Sequence, residues 1–354
     1  MSTHVLLAGT YTSRGSRGIY CYTALADAGQ PAEPVVIEAD DPSFMVLDHA
    51  ARFLYCVNET PGRIGQVSAF SFSPASREAT LLSRVSAGGE DPCHITLTPD
   101  ERFVLVSCYS SGSLAVFPRL DDGSLGEAVQ QIAFDGGSRV HATRQEKAHL
   151  HSCTCSPDGQ FVFACDLGND RIYQFALTGD DNEPLGERQD IIAPPGSGPR
   201  HLKFHPEGHW AYLVGELDGS IVGYRHDGTT LVQYQVASLT STNDDREHGA
   251  GELQFGHDGR SLYVTNRGQF DELVSLDIDQ EGILTWRGST STGGQLPRHF
   301  TVTPDGGHVL IGNQQSGDVT RMALLPDGGF GEVETLLNLD DVAFLHLVAA
   351  GSTS

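Results

Sequence analysis

Ser156-Pro-Asp-Gly-Gln-Phe-Val-Phe-Ala164 is a tight reversal followed by an apolar run, and the chain repeats it. The same arrangement stands at Thr98-Pro-Asp-Glu-Arg-Phe-Val-Leu-Val106, His205-Pro-Glu-Gly-His-Trp-Ala-Tyr-Leu213, Gly256-His-Asp-Gly-Arg-Ser-Leu-Tyr-Val264 and Thr303-Pro-Asp-Gly-Gly-His-Val-Leu-Ile311. A weaker copy is Asp48-His-Ala-Ala-Arg-Phe-Leu-Tyr-Cys56. The aligned turn residues Ala50, Asp100, Asp158, Glu207, Asp258 and Asp305 lie 50, 58, 49, 51 and 47 apart. A period near fifty signifies a propeller or a solenoid.

The turn chemistry chooses between them. Pro-Asp-Gly reverses the chain, and β-type runs flank it on both sides, as in Leu202-Lys-Phe204 before and Trp210-Ala-Tyr-Leu-Val214 after, so each repeat contains an antiparallel hairpin. A second turn, as at Ser110-Ser-Gly-Ser113, leads to a third strand, Leu114-Ala-Val-Phe117. Asp121-Asp-Gly-Ser-Leu-Gly126 then leads to a variable fourth. Four short antiparallel strands per fifty residues make a propeller blade. No segment sustains a 3.6-residue apolar period with capping signals, so helix is expected to be scarce.

The termini complete the blade count. Val5-Leu-Leu-Ala-Gly-Thr-Tyr-Thr12 and Gly18-Ile-Tyr-Cys-Tyr22 match second and third strands without a first. Val342-Ala-Phe-Leu-His-Leu-Val-Ala349 matches a first strand without followers. Joined, they form a seventh blade that closes the ring and removes its exposed sheet edges. The expected fold is all-β, one seven-bladed β-propeller domain over residues 1–354 with four-stranded antiparallel blades.

Composition limits the partners. Among 354 residues, 46 acidic against 22 basic side chains give a formal charge of −24, which opposes nucleic acid and anionic membranes, so any anion site is local. Lys147 and Lys203 are the only lysines; the other fixed cations are guanidiniums, suited to bidentate phosphate or carboxylate contacts. No apolar run approaches the roughly 20 residues of a spanning helix, and the start Met1-Ser-Thr-His4 lacks the basic and apolar regions of a secretory signal. Seven cysteines in a chain able to build its own core are expected to be reduced, in the cytoplasm, with Cys153 and Cys155 as small core residues. A closed ring protects its own edges, so a monomer is expected.

In a propeller the first strand of each blade lines the axis. Counting back from each turn places Ser43, Cys93, His151, Arg200, Gly251, Arg298 and Ala343 in one axial ring, followed by Phe44, His94, Ser152, His201, Glu252, His299 and Phe344. The ends of the second strands return to the same face with Tyr11, Asn58-Glu59, Tyr109, Asp166, Glu216, Asn266-Arg267 and Asn313-Gln314. Two aligned Pro-Arg-His triplets, at Pro199 and Pro297, together with Arg267 and His151, gather positive charge around one mouth and predict an anion pocket. The 58-residue spacing marks an insertion, Gly136 to His151. It carries Arg139, Arg144, Lys147 and His149 over that mouth as a basic lid or a solvated loop. A similar stretch, Thr240 to Gly249, carries Arg246 and His248. The axial ring has no carboxylate cluster and His149-x-His151 alone is a weak ligand pair, so neither metal nor cofactor is expected.

These elements, with Arg144-Gln145, His149-x-His151-Ser152, Gly198-Pro-Arg-His-x-x-Phe-His-Pro206, Glu216-Leu217, Asn266-Arg267-Gly268 and Pro297-Arg298, resemble the seven-bladed propeller lactonases over essentially the whole chain. The resemblance implies hydrolysis of 6-phosphogluconolactone to 6-phosphogluconate in the pentose phosphate pathway; fungal relatives include carboxymuconate-lactonizing enzymes. It also implies a site at His151, Arg200, Glu216 and Arg267. The sequence departs from some relatives at Pro297-Arg-His-Phe300, where they have glycine after the arginine.

Lactone hydrolysis requires a base for water, a donor for the oxyanion and an anchor for the remote phosphate. The residues suggest His151 as base, oriented by Glu216, which is itself the other candidate base. Arg200 is expected at the oxyanion and Arg298 and Arg267 at phosphate, with His201, His299, His149 and Arg144 as further contacts to an anionic sugar lactone. A carboxymuconate cycloisomerase, a non-catalytic interaction propeller and a calcium-dependent sugar lactonase are the alternatives.

Overall fold

The computed structural model describes residues 4–23, 33–241 and 246–350, and among these every regular element is a β-strand. They form seven four-stranded antiparallel sheets. The repeated turn builds each hairpin through its side chains. The hydroxyls of Thr98, Ser156 and Thr303 donate to the carboxylates of Asp100, Asp158 and Asp305, and accept from the N–H groups of Phe103, Phe161 and His308 that open the next strand. This is the side-chain mimicry of a turn for which Ser, Thr and Asp are selected.

The ring closes as the sequence predicts. Val342–Ala349 pairs antiparallel with His4–Thr10, which continues into Gly18–Thr23 and Val35–Glu38, so one blade contains both ends of the described chain. Apolar clusters fill the space between neighbouring blades. Tyr212, Val214, Leu253, Val264 and Val274 form one, and Tyr55, Val57, Val104, Val106 and Phe117 another. At about 1.5–3 kcal/mol for each fully buried large apolar side chain, these inter-blade layers hold the ring together.

The innermost strands Pro92–Leu97, Leu150–Cys155, Pro199–Phe204, Ala250–Phe255 and Pro297–Val302 all slip register near their first residues. Such a β-bulge sets two residues against one on the partner strand and re-aims their side chains. Two residues before the axial ring position the backbone is left-handed in five blades, at Asp41, Asp91, Gly198, Leu296 and Asp341. A side chain on Gly198 would strike Leu217, which accounts for glycine at that position. The left-handed turn and the bulge together bring Cys93/His94, Arg200/His201 and Arg298/His299 to the axis at successive depths.

Candidate active site

The shallower tier gathers charge. Glu216, at the end of Trp210–Gly215, is buried and receives a hydrogen bond from Arg144 Nη2 at 2.6 Å on Oε1 and from Arg200 Nε at 2.9 Å on Oε2, with Arg267 Nη2 3.0 Å from Oε2. Burial alone would raise the Glu216 pKa, but Arg267, Arg200, His151 and Arg144 hold it well below the ordinary carboxylate value. Arg267 also donates to the carbonyls of Gly249 and Ala250, and its burial lowers its pKa to about 10. Arg200 donates Nη1 to the Gly251 carbonyl at 3.1 Å and to His201 Nε2 at 3.0 Å.

A second group stands at the same mouth. Arg298 Nη2 donates to the Tyr11 hydroxyl at 2.8 Å with its guanidinium over the Tyr11 ring, and Tyr11 donates to Glu59 Oε2 at 2.8 Å. The Ser43 hydroxyl donates to the same oxygen. Burial would lower the Arg298 pKa, but Tyr11 and Glu59 keep it above the ordinary value. Glu59 moves the other way from Glu216: burial raises its pKa despite Arg298 and the two hydroxyls. The sequence places Glu59 beside Glu216 in the outer ring but gives no reason to select it. Its partners Tyr11, Ser43 and Arg298 come from three separate parts of the chain.

Four guanidiniums therefore face two carboxylates, and the excess is local: Glu216 is shared by Arg144, Arg200 and Arg267, whereas Glu59 faces Arg298 alone. Donors remain free in both groups. Arg144 Nη1, Arg267 Nη1, Arg200 Nη2 and Arg298 Nη1 have no hydrogen-bond acceptor among the described residues. His151 is buried at the centre, with Nε2 3.7 Å from Glu216 Oε2 and Nδ1 without a hydrogen-bond partner among the described residues. Burial first, then Arg200, holds its pKa well below the usual histidine value, so it is neutral at pH 7.

The family model for the lactonases with a seven-bladed β-propeller matches residues 5–334. The chain belongs to that family. It is 30% identical over 339 residues to a 6-phosphogluconolactonase of Bacillus subtilis, spanning 92% of this chain and 95% of the relative. It is 29% identical to a 6-phosphogluconolactonase of Formosa agariphila, spanning 89% and 90%. The solved structure of a periplasmic gluconolactonase from Pseudomonas aeruginosa superimposes with a TM-score of 0.94 at 34% identity, covering 99% of this chain and 100% of the other.

Within this propeller lactonase the expected site residues divide by depth. His151, Arg200, Glu216, Arg267 and Arg298 meet at the mouth, and the insertion brings Arg144 into it. His201 and His299 do not join them. They lie beneath, where His201 Nδ1 meets Glu252 at 2.8 Å, His299 Nε2 lies 3.6 Å from Glu252, and His299 Nδ1 accepts from the Leu345 N–H. Phe44, His94, His201, His299 and Phe344 pack ring against ring across the axis as a plug. These rings line a cavity of about 680 Å³ on the plug's far side, whose lining excludes Arg200 and Arg298. His149 is likewise engaged at both nitrogens, with the Tyr109 carbonyl and Glu146, and stacks on the Tyr109 ring. It anchors the insertion rather than facing the pocket. Of Thr240 to Gly249, residues 242–245 lie outside the described residues.

Proposed function

We propose that this chain hydrolyses 6-phosphogluconolactone to 6-phosphogluconate without a metal ion, within the pentose phosphate pathway of the cytoplasm. The observation that carries the substrate choice is the unbalanced arginine group around Glu216. Three guanidiniums on one carboxylate, in a protein of formal charge −24, favour a dianion at that place. The reading is supported by family membership and by the named activity of the Bacillus subtilis relative.

Charge balance distributes the roles. The free Nη1 groups of Arg144 and Arg267 suit the phosphate, with Arg144 closing over it on the insertion. Arg298 belongs on the other side, where its charge is already matched by Glu59. Arg200 lies between the two groups, its unpartnered Nη2 available to the carbonyl oxygen on which negative charge develops, with Arg298 as the second donor there. Neutral His151 offers a hydrogen bond to a sugar hydroxyl. Neither residue first suited to be the base fits well: Glu216 is saturated by cations, and His151 binds a proton weakly.

Among the described residues no three His, Cys, Asp or Glu side chains group as ligands for a metal ion, and the seven cysteines are free thiols. No helix among the described residues is long and apolar enough to cross a membrane. The test is turnover of freshly generated 6-phosphogluconolactone, corrected for spontaneous hydrolysis, with and without chelator. Chelator-insensitive acceleration is expected; a rate equal to the spontaneous one refutes the assignment.

A further inference from the structure

Of the two carboxylates at the mouth, one has its oxygens consumed and the other does not. Glu216 accepts from arginine on both oxygens. Glu59 is held entirely through Oε2, by the hydroxyls of Tyr11 and Ser43, and its Oε1 has no hydrogen-bond partner among the described residues. Glu59 and Tyr11 are only partly buried, whereas Glu216 is buried. A carboxylate fixed through one oxygen and open at the other is arranged to accept a proton from a bound water.

We propose that Glu59 is the general base of this site, taking the proton of the attacking water through Oε1. The proposal rests on the lactonase reading above. The water oxygen bonds to the lactone carbonyl carbon as its proton passes to Oε1, and the carbonyl π electrons move onto oxygen, facing Arg200 and Arg298. Collapse of the tetrahedral adduct breaks the bond from carbonyl carbon to ring oxygen. The proton on Glu59 passes to that oxygen, giving the free hydroxyl and the acid, which ionises to solvent.

The surroundings suit the role. The raised pKa of Glu59 strengthens it as a proton acceptor relative to Glu216. Arg298 faces it through Tyr11, Asp91 adds like charge, and the neutral Cys93 thiol also lies against it. The base must be ionised to act, so the acidic limb of kcat/KM is expected above the ordinary glutamate range, activity falling as pH drops through it.

The test compares wild type, Glu59→Gln and Tyr11→Phe on the lactone between pH 4.5 and 7.5. Glu59→Gln keeps the shape and an oxygen for the two hydroxyls. It is expected to lose roughly 10²–10⁴-fold in kcat with KM within threefold, and to lose the acidic limb. Tyr11→Phe removes a hydrogen bond to the ionised form, and its acidic limb is expected to move to higher pH, a shift that a purely structural role would not produce. If Glu59→Gln fails to fold, the Tyr11→Phe profile and restoration of Glu59→Ala turnover by formate decide. Normal wild-type turnover retained in Glu59→Gln, or an acidic limb unmoved in Tyr11→Phe, overturns the role of Glu59 and leaves the lactonase reading standing. Wild type without turnover on the lactone removes both.

Discussion

Replacing Glu216 by glutamine tests the arginine group directly. The side chain keeps its size but loses the charge on which Arg144, Arg200 and Arg267 converge at 2.6, 2.9 and 3.0 Å. Removing one member of a buried ion pair destabilises by about 3–5 kcal/mol, because the partner is left buried and uncompensated. Unfolding entropy near 2.1 cal/mol/K per residue gives about 0.7 kcal/mol/K for a chain of 354 residues, so Tm is expected to fall by about 4–7 °C. Added phosphate should return part of the loss, since an anion at one hundred times its Kd contributes about 2.7 kcal/mol, or roughly 4 °C. Because the folded pKa of Glu216 is depressed, its contribution is complete above the unfolded value of about 4.5 and disappears as pH falls through the folded value. The difference in Tm should therefore hold from pH 7 to about 5 and close below. Differential scanning fluorimetry at several pH values, with and without phosphate, measures all three effects. A variant melting within 1 °C of wild type, with no greater response to phosphate, would show that the three guanidiniums do not depend on the Glu216 charge.

Arg200→Lys and Arg200→Ala should both lower kcat by about 10²–10³, since an ammonium cannot occupy the places of Nε, Nη1 and Nη2 at once; steady-state kinetics in which lysine restores the rate would contradict this. Arg144→Ala should raise KM for the phosphorylated lactone about 10-fold or more and leave the unphosphorylated one nearly unchanged, and equal effects on both would remove Arg144 from the phosphate. Arg298→Ala should instead lower kcat on both lactones. Burial holds His94 and His151 well below 6.5, His201 at about 4 and His299 at about 3, so folding favours their neutral forms. Their contribution is complete above pH 6.5 and is lost as pH falls toward 3–4, so the urea midpoint should drop between pH 7 and pH 5; an unchanged midpoint would contradict this.

The blade count and ring closure are legible in the sequence because the Thr/Ser-Pro-Asp turns do their own hydrogen bonding and recur at nearly constant spacing. The convergence of His151, Arg200, Glu216, Arg267 and Arg298 follows from that alignment. Depth along the axis does not. Strand alternation contains no sign of the bulge that brings Arg200 and His201 both to the axis, so His201 and His299 read as pocket residues although Glu252 holds them in the plug. His149 misleads in the same way, since its partners, Glu146 and a main-chain carbonyl on another blade, leave no periodic trace. Glu59 occupies the position aligned with Glu216, but what separates the two is their partners. Hydroxyls around Glu59 and guanidiniums around Glu216 are assembled only by the closed ring.

Selection of a phosphorylated lactone by the arginine group is measured by the ratio of kcat/KM for 6-phosphogluconolactone to that for gluconolactone, each corrected for spontaneous hydrolysis. A dianion bound by two free guanidinium edges, each charge-assisted contact worth about 1.5–3 kcal/mol, predicts a ratio of at least about 10² in favour of the phosphorylated substrate. A ratio near one, or a preference for gluconolactone, would contradict it.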